Sequence, residues 1–235
     1  MKQVAGIWLP DWDKHFTEAL ARSERIDNKG TYQLKKIQRA LALIPKHQRK
    51  TALDIGAHVG LWSMILRKNF DRVAAFEPHP ELIACFCKNL DGSLWPEGNV
   101  LLYQFALGNE SGQVKLKVTE GNSGNCHIVK NQDNAVNATE HGLGDTEIEV
   151  QMHTLDSAFV DEVSFIKIDV EGYEIEVLRG AERTIRTQKP YLLIEQKPGN
   201  AERYGYKRMA AVDLACKWGM NIKWEIAGDY FLAWR

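Results

Sequence analysis

The run Asp54-Ile55-Gly56-Ala57-His58-Val59-Gly60, followed after one helix-length by Phe76-Glu77-Pro78, has the residue types and spacing of a cofactor cradle. Ala52, Leu53 and Ile55 read as a short buried strand, and the spaced glycines let the backbone turn tightly against a ligand before Leu61 begins a helix. Glu77 closes the next apolar strand, Val73-Ala74-Ala75-Phe76. In doubly wound α/β folds a carboxylate at that position hydrogen-bonds the two hydroxyls of an adenosine ribose.

The glycine spacing separates two cofactor classes. Dinucleotide sites favour G-x-G-x-x-G, in which backbone amides and a helix dipole meet a pyrophosphate. Here only Gly56 and Gly60 are present, with Ala57 and His58 between them. This D-x-G-x-x-x-G form resembles the first motif of class I methyltransferases, whose S-adenosylmethionine carries a sulfonium and an amino acid tail in place of a pyrophosphate.

The elements that must position these residues alternate regularly. Strand 51–55, helix 60–69, strand 72–77, helix 80–90 and strand 99–104 have the rhythm of a parallel sheet. The rhythm resumes with Val163-Ser164-Phe165-Ile166-Lys167-Ile168 ending at Asp169, a helix from about Tyr173 to Thr187, and Pro190-Tyr191-Leu192-Leu193-Ile194 ending at Glu195. Right-handed crossovers place the strand C-termini on one edge, where ligands bind at the reversal of strand order. A helix near Lys207 to Lys217 and a hairpin turning at Gly228 close the chain. Between about 108 and 152 the pattern changes to alternating segments, Val114 to Val118 and Ile148 to Met152, which read as edge strands of an insertion. The small polar stretch Glu120 to His127 within it sits where a loop could cover the ligand crevice, or is an ordinary surface loop.

Composition sets the outer bounds. With 235 residues, 44% hydrophobic and 26% charged, the chain is long enough for one globular domain with a sizeable core, or one domain plus an appendage, and it reads as one domain. We expect an N-terminal helical cap over residues 1–50 and a catalytic domain over 51–235. No apolar run reaches the ~20 residues of a spanning helix, so no membrane partner is expected. The first residues lack a secretion signal, and the four cysteines form neither a C-x-x-C pair nor a disulfide framework; both features give a cytoplasmic expectation. A formal net charge of -1 disfavours a long polyanion as partner. The basic stretch from Lys35 to Lys50 interleaves with Leu34, Ile37, Leu41 and Ile44 and reads as the solvated face of an amphipathic helix, with nucleic-acid contact as the alternative.

Four segments in order, Asp54 to Gly60, Phe76-Glu77-Pro78, Phe105-Ala106-Leu107-Gly108 and Ile166-Lys167-Ile168-Asp169-Val170-Glu171-Gly172-Tyr173-Glu174, resemble the FkbM family of S-adenosylmethionine-dependent methyltransferases. The resemblance extends from about Thr51 to Glu195, and its most specific part is the D-V-E-G-x-E segment. It implies a Rossmann-like class I methyltransferase fold: a mostly parallel seven-stranded sheet with helices on both faces and an antiparallel last strand. It further implies methyl transfer to an oxygen, most often a hydroxyl of a sugar or polyketide, so the expected acceptor is a glycan or small molecule. By the same resemblance Gly56, Ala57 and Gly60 shape the loop under the methionine part, and Asp54 orders that loop. Glu77 and Pro78 lie at the ribose, Ala106 and Leu107 near the adenine, and Tyr32 with Gln33 near the cofactor carboxylate. His58 stands where the family usually has Asn, and Gln104 where Asn often precedes the Ala-Leu pair.

A hydroxyl is a weak nucleophile and benefits from a base at hydrogen-bond distance. Asp169, Glu171 and His58 are the candidates. Alternatively Asp169 binds the cofactor ammonium, Glu171 caps the helix opening near Gly172, and His58 is only hydrogen-bonded. Asp169, Glu171 and Glu195 also offer the hard oxygen ligands of a divalent-cation site, but sequence cannot show that they converge and no metal is expected. Acceptor contacts are expected from the cap and the late loops, at Trp12, His15, Asn125, His127 and Lys197. A nucleic-acid methyltransferase lacks its Asn/Asp/Ser-Pro-Pro-aromatic or Pro-Cys segment here. An oxidoreductase lacks its second glycine, and a non-catalytic scaffold would not require the intact set Asp54, Gly56, Gly60, Glu77 and Asp169.

Overall fold

The computed structural model describes residues 1–129, 145–159 and 161–235. Seven apolar segments pair into its main sheet: β1 (Thr51–Ile55), β2 (Arg72–Phe76), β3 (Val100–Tyr103), β4 (Val163–Ile168), β5 (Tyr191–Glu195), β6 (Met220–Ile226) and β7 (Asp229–Trp234). Their spatial order is β3-β2-β1-β4-β5-β7-β6. The first five pair in parallel, and β7 enters antiparallel between β5 and β6. All five residues of β1 are buried, because helices cover both faces of a parallel sheet.

Alternation along the strands divides the core in two. Leu53, Ile55, Ile166 and Ile168 face the helices Glu174–Gly180, Glu182–Gln188 and Ala210–Lys217, through Val177, Ile185 and Val212. Ala52, Val73, Phe165 and Leu193 face Ile37 of the helix Leu34–Leu43, Leu66 of Ser63–Leu66 and Phe86 of Pro80–Asn89. Strand order reverses between β1 and β4, and this edge carries Asp54 and Asp169.

Local chemistry moved several boundaries. Only Ser63–Leu66 of the expected helix 60–69 is α-helical, since the Asn69 amide donates to Ile65 O at 2.8 Å and ends the helix there. The helix expected from Tyr173 to Thr187 is two, broken at Ala181. The Asp156 carboxylate accepts the amides of Arg183 and Thr184, each at 2.9 Å, and so starts a new helix.

The insertion does not extend the main sheet. Its strands join Ala106–Leu107, which precedes it, in a second sheet of four strands in the order His127–Val129, Gly112–Val118, Thr146–His153 and Ala106–Leu107. Residues 130–144 of the insertion lie outside the described residues. The N-terminal fifty residues are not helical throughout: two hairpins, Lys2–Val4 with Ile7–Leu9 and Arg25–Ile26 with Lys29–Gly30, alternate with the helices His15–Ala21 and Leu34–Leu43. Both hairpin turns, Ala5-Gly6 and Asp27-Asn28, have positive φ at both residues, as two-residue turns with right-handed strand twist require. Ile7, Leu9, Phe16 and Leu20 of this segment pack on Val59, Leu61 and Leu82 beside the glycine loop. Among the described residues no helix is long and apolar enough to cross a membrane.

Candidate active site

A chamber of about 290 Å³ opens at the C-terminal ends of β1, β2 and β4. The glycine loop forms one wall. Gly56 has φ +72° and touches Asp169, whose carbonyl oxygen would lie 1.9 Å from any Cβ there. Gly60, at φ +90°, closes against Leu90, 2.4 Å from where a Cβ would sit. These contacts explain why the loop needs glycine at both positions.

Glu77 is buried at the end of β2. Its Oε2 accepts the His58 amide at 2.8 Å and its Oε1 the His79 amide at 2.9 Å. Each carboxylate oxygen has two lone pairs, so both keep one for a ligand hydroxyl. Burial pushes the Glu77 carboxyl up to about 7, against the two amide bonds that favour its charged form.

Lys167, which the sequence reading did not select, ties the loop to the sheet. It is buried in β4, in register with Asp54 of β1. Its ammonium lies 3.2 Å from Asp54 Oδ1 and 3.7 Å from Asp169 Oδ2, and donates to Gly56 O at 2.9 Å. Burial disfavours its charge, but Asp54 and then Asp169 outweigh that and raise it above the ordinary lysine value. Asp54 in turn accepts the Ser63 hydroxyl at 2.7 Å. The signal available in sequence was a lysine flanked by isoleucines in a mostly apolar strand, two residues before Asp169.

Carboxylates line the opposite wall. Burial opposes ionisation of Asp169, yet the Lys167 and Lys197 ammoniums hold it below the usual carboxylate range. Burial, with Asp169 nearby, pushes Glu171 up to about 7. Glu171 has a left-handed backbone, φ +55°, and its Oε2 accepts the Asn200 amide at 2.9 Å. Glu171 does not cap the following helix, which begins at Glu174 with no side-chain cap; Glu174 Oε1 reaches back to accept the amides of Val170 at 3.2 Å and Gly172 at 2.9 Å in the turn before it. Glu195 is buried behind this wall, raised by desolvation and by Asp169, and Lys197 Nζ sits 2.6 Å from its Oε1. Asp169, Glu171 and Glu195 offer ligand atoms within 4.8 Å of one another, close enough for a cation. The Lys197 ammonium supplies positive charge there from within the chain.

The structure brings most of the expected site residues to this chamber. Tyr32, Ala57, His58, Pro78, Ala106 and Leu107 line it with Gly56, Glu77, Asp169 and Glu171. His15, Asn125, His127 and Lys197 line it from the cap, the insertion and the loop after β5. Four do not line it. Gln33, expected beside Tyr32 at the cofactor carboxylate, instead accepts the Trp62 indole N–H at 3.0 Å. Asp54 lies beneath the loop and Gly60 against Leu90. Trp12 is turned away, its indole donating to Glu81 Oε2 at 2.9 Å with the ring 6.1 Å from His79. Phe16, Phe105 and Ser123, which were not selected from the sequence, are among the further lining residues.

A family model described as the methyltransferase FkbM domain matches residues 54–216. The chain is 25% identical over 146 residues to the hexuronic acid methyltransferase AglP of Haloferax volcanii, across 62% of this chain and 55% of that protein. It is 26% identical over 144 residues to methyltransferase 1 of Beauveria bassiana, across 54% of this chain and 57% of that protein. The chain thus spans about half the length of the curated relatives it matches. The crystal structure of methyltransferase FkbM from Methylobacillus flagellatus aligns with 80% of this chain and 44% of its own, at 16% identity and TM-score 0.48.

Proposed function

Because the chain belongs to the FkbM methyltransferase family, we propose that it uses S-adenosylmethionine to methylate a hydroxyl of a sugar or small-molecule acceptor. The observation that carries this reading is the pairing of Glu77 with the glycine loop. A buried carboxylate, braced by two amides and with lone pairs to spare, stands beside a side-chain-free turn at Gly56. That arrangement fits a ribose diol and an amino acid tail. Ala106, Leu107 and Phe105 give the apolar wall for an adenine. Residues 51–235 serve as the methyltransferase domain, with the insertion at about 108–152 and residues 1–50 as its cap.

When bound, the cofactor supplies an electrophilic methyl on a sulfonium, and in-line attack by the acceptor oxygen breaks the carbon–sulfur bond to leave a neutral thioether. The protein's work is geometry and charge. Asp169, held anionic by Lys167 and Lys197, receives the cofactor ammonium. Glu171, poised near neutrality, accepts the acceptor's hydroxyl proton. His58 is unsuited to that task, because burial lowers it to about 4. His15, Asn125, His127 and Lys197 surround the acceptor side, and the hexuronic acid specificity of the Haloferax relative supports a sugar there.

The test is transfer of radiolabelled methyl from S-adenosylmethionine to a panel of hexuronic acids, neutral sugars, hydroxylated small molecules and RNA. Label on a sugar or small-molecule oxygen is the expected result. Label on RNA alone, or bound cofactor with no acceptor labelled, would overturn it.

A further inference from the structure

A buried polar chain joins three segments far apart in sequence and ends at the chamber. Asp13 is fully buried and accepts the amides of Phe16 at 2.7 Å and of Ser123 at 2.9 Å, together with the Ser123 hydroxyl. Ser123 is buried as well, and its Oγ lies 2.7 Å from His58 Nε2. None of these contacts is used by the catalytic scheme above.

The chain fixes the protonation pattern of the histidine. A serine hydroxyl has one proton to give, and here it is given to the Asp13 carboxylate. Ser123 Oγ can therefore only accept from the ring, which places the hydrogen of His58 on Nε2. Burial keeps the imidazole neutral at neutral pH, so Nδ1 carries a lone pair. No described protein group hydrogen-bonds Nδ1, and His58 lines the chamber between Ala57 and the Glu77 carboxylate. Phe16 holds the ring plane, with centroids 4.4 Å apart at 32°.

We propose that Asp13 and Ser123 are positioning residues that hold His58 as its Nε2–H tautomer, so that Nδ1 presents a lone pair to the cationic sulfonium end of the cofactor. This rests on the cofactor reading above. A neutral acceptor at that place favours a sulfonium over the neutral thioether left after transfer, and an imidazolium would repel it. The same chain fastens the cover of the chamber. Lys14 and His15 amides both donate to Gly121 O, at 2.9 and 3.1 Å, beside the Asp13–Ser123 contact.

Ser123→Ala is the informative variant, because the Ser123 amide keeps its bond to Asp13 while the hydroxyl link to His58 is lost. Nitrogen-15 NMR of histidine-labelled protein at pH 7 should show Nε2 protonated and Nδ1 bare for His58 in the parent chain, and a mixture of tautomers in Ser123→Ala. Calorimetry should show the preference for S-adenosylmethionine over S-adenosylhomocysteine falling about 3- to 10-fold in Ser123→Ala, with thermal melting confirming a folded variant. A proton on Nδ1 in the parent chain, or unchanged tautomer and preference in the variant, would overturn the proposal. If the parent chain bound neither compound, the cofactor reading and the ligand half of this proposal would both fall, while the NMR result would still decide the tautomer.

Discussion

Replacing Lys167 by methionine removes the ammonium that holds two buried aspartates and the carbonyl of the glycine loop. At 3.2 and 3.7 Å, with an effective dielectric of about 20, its attractions to Asp54 and Asp169 amount to roughly 4–5 kcal/mol each. Desolvation of the buried ammonium offsets much of this. Breaking a buried pair by removing one partner nevertheless costs about 3–5 kcal/mol, because the other charge is left uncompensated. Urea denaturation at pH 7, followed by tryptophan fluorescence, should therefore show Lys167→Met losing about 3–5 kcal/mol. Asp54→Asn combined with Lys167→Met should lose less than the sum of the single variants, by about 2 kcal/mol or more. The sign with pH follows from Asp169. Its carboxyl is depressed in the folded chain, so the stability it contributes is present above the usual carboxylate range and lost as pH falls. Lys167→Met weakens that contribution, so the gap between parent and variant should narrow in acid. A loss below about 1 kcal/mol, or strict additivity in the double variant, would refute the picture of Lys167 as the tie between sheet and loop.

Other consequences are equally direct. The acid limb of the parent's kcat/KM should rise with pH through about 7, as Glu171, the proposed base, loses its proton. Glu171→Gln should flatten that limb and lower the rate by about 10²- to 10⁴-fold. His127→Ala should raise the acceptor KM while calorimetric affinity for S-adenosylmethionine stays unchanged. Trp12→Ala should leave both parameters unchanged, since its half-buried indole is bonded to Glu81 and does not line the chamber; a large acceptor effect would contradict its placement outside the chamber.

The strands were legible because a sheet covered on both faces demands apolar runs, and 51–55, 163–168 and 191–195 are such runs. The loop was legible because the close approach of Asp169 to Gly56 leaves room for no side chain. Lys167 was not, since its role depends on register with Asp54, a residue on a strand more than a hundred positions earlier. Asp13 and Ser123 meet across 110 residues and carry no local pattern. The break at Ala181 was hidden because its cause, Asp156, is remote in sequence from the helix it starts. Trp12 read as an acceptor contact by residue type, but its indole is satisfied by Glu81. Periodicity reports burial, and pairs made by tertiary approach leave no trace in it.

Glu77 and the Gly56 turn form the proposed seat of S-adenosylmethionine. Calorimetric titration of the parent chain and of Glu77→Ala with S-adenosylmethionine and S-adenosylhomocysteine, with NAD as control, tests it most directly. Hydrogen bonds to a charged group contribute roughly 1.5–3 kcal/mol each, so affinity in the variant should fall at least about tenfold. Micromolar binding by the parent, lost in the variant and absent for NAD, is the predicted result. Equal binding by the two proteins, or a preference for NAD, would contradict the account.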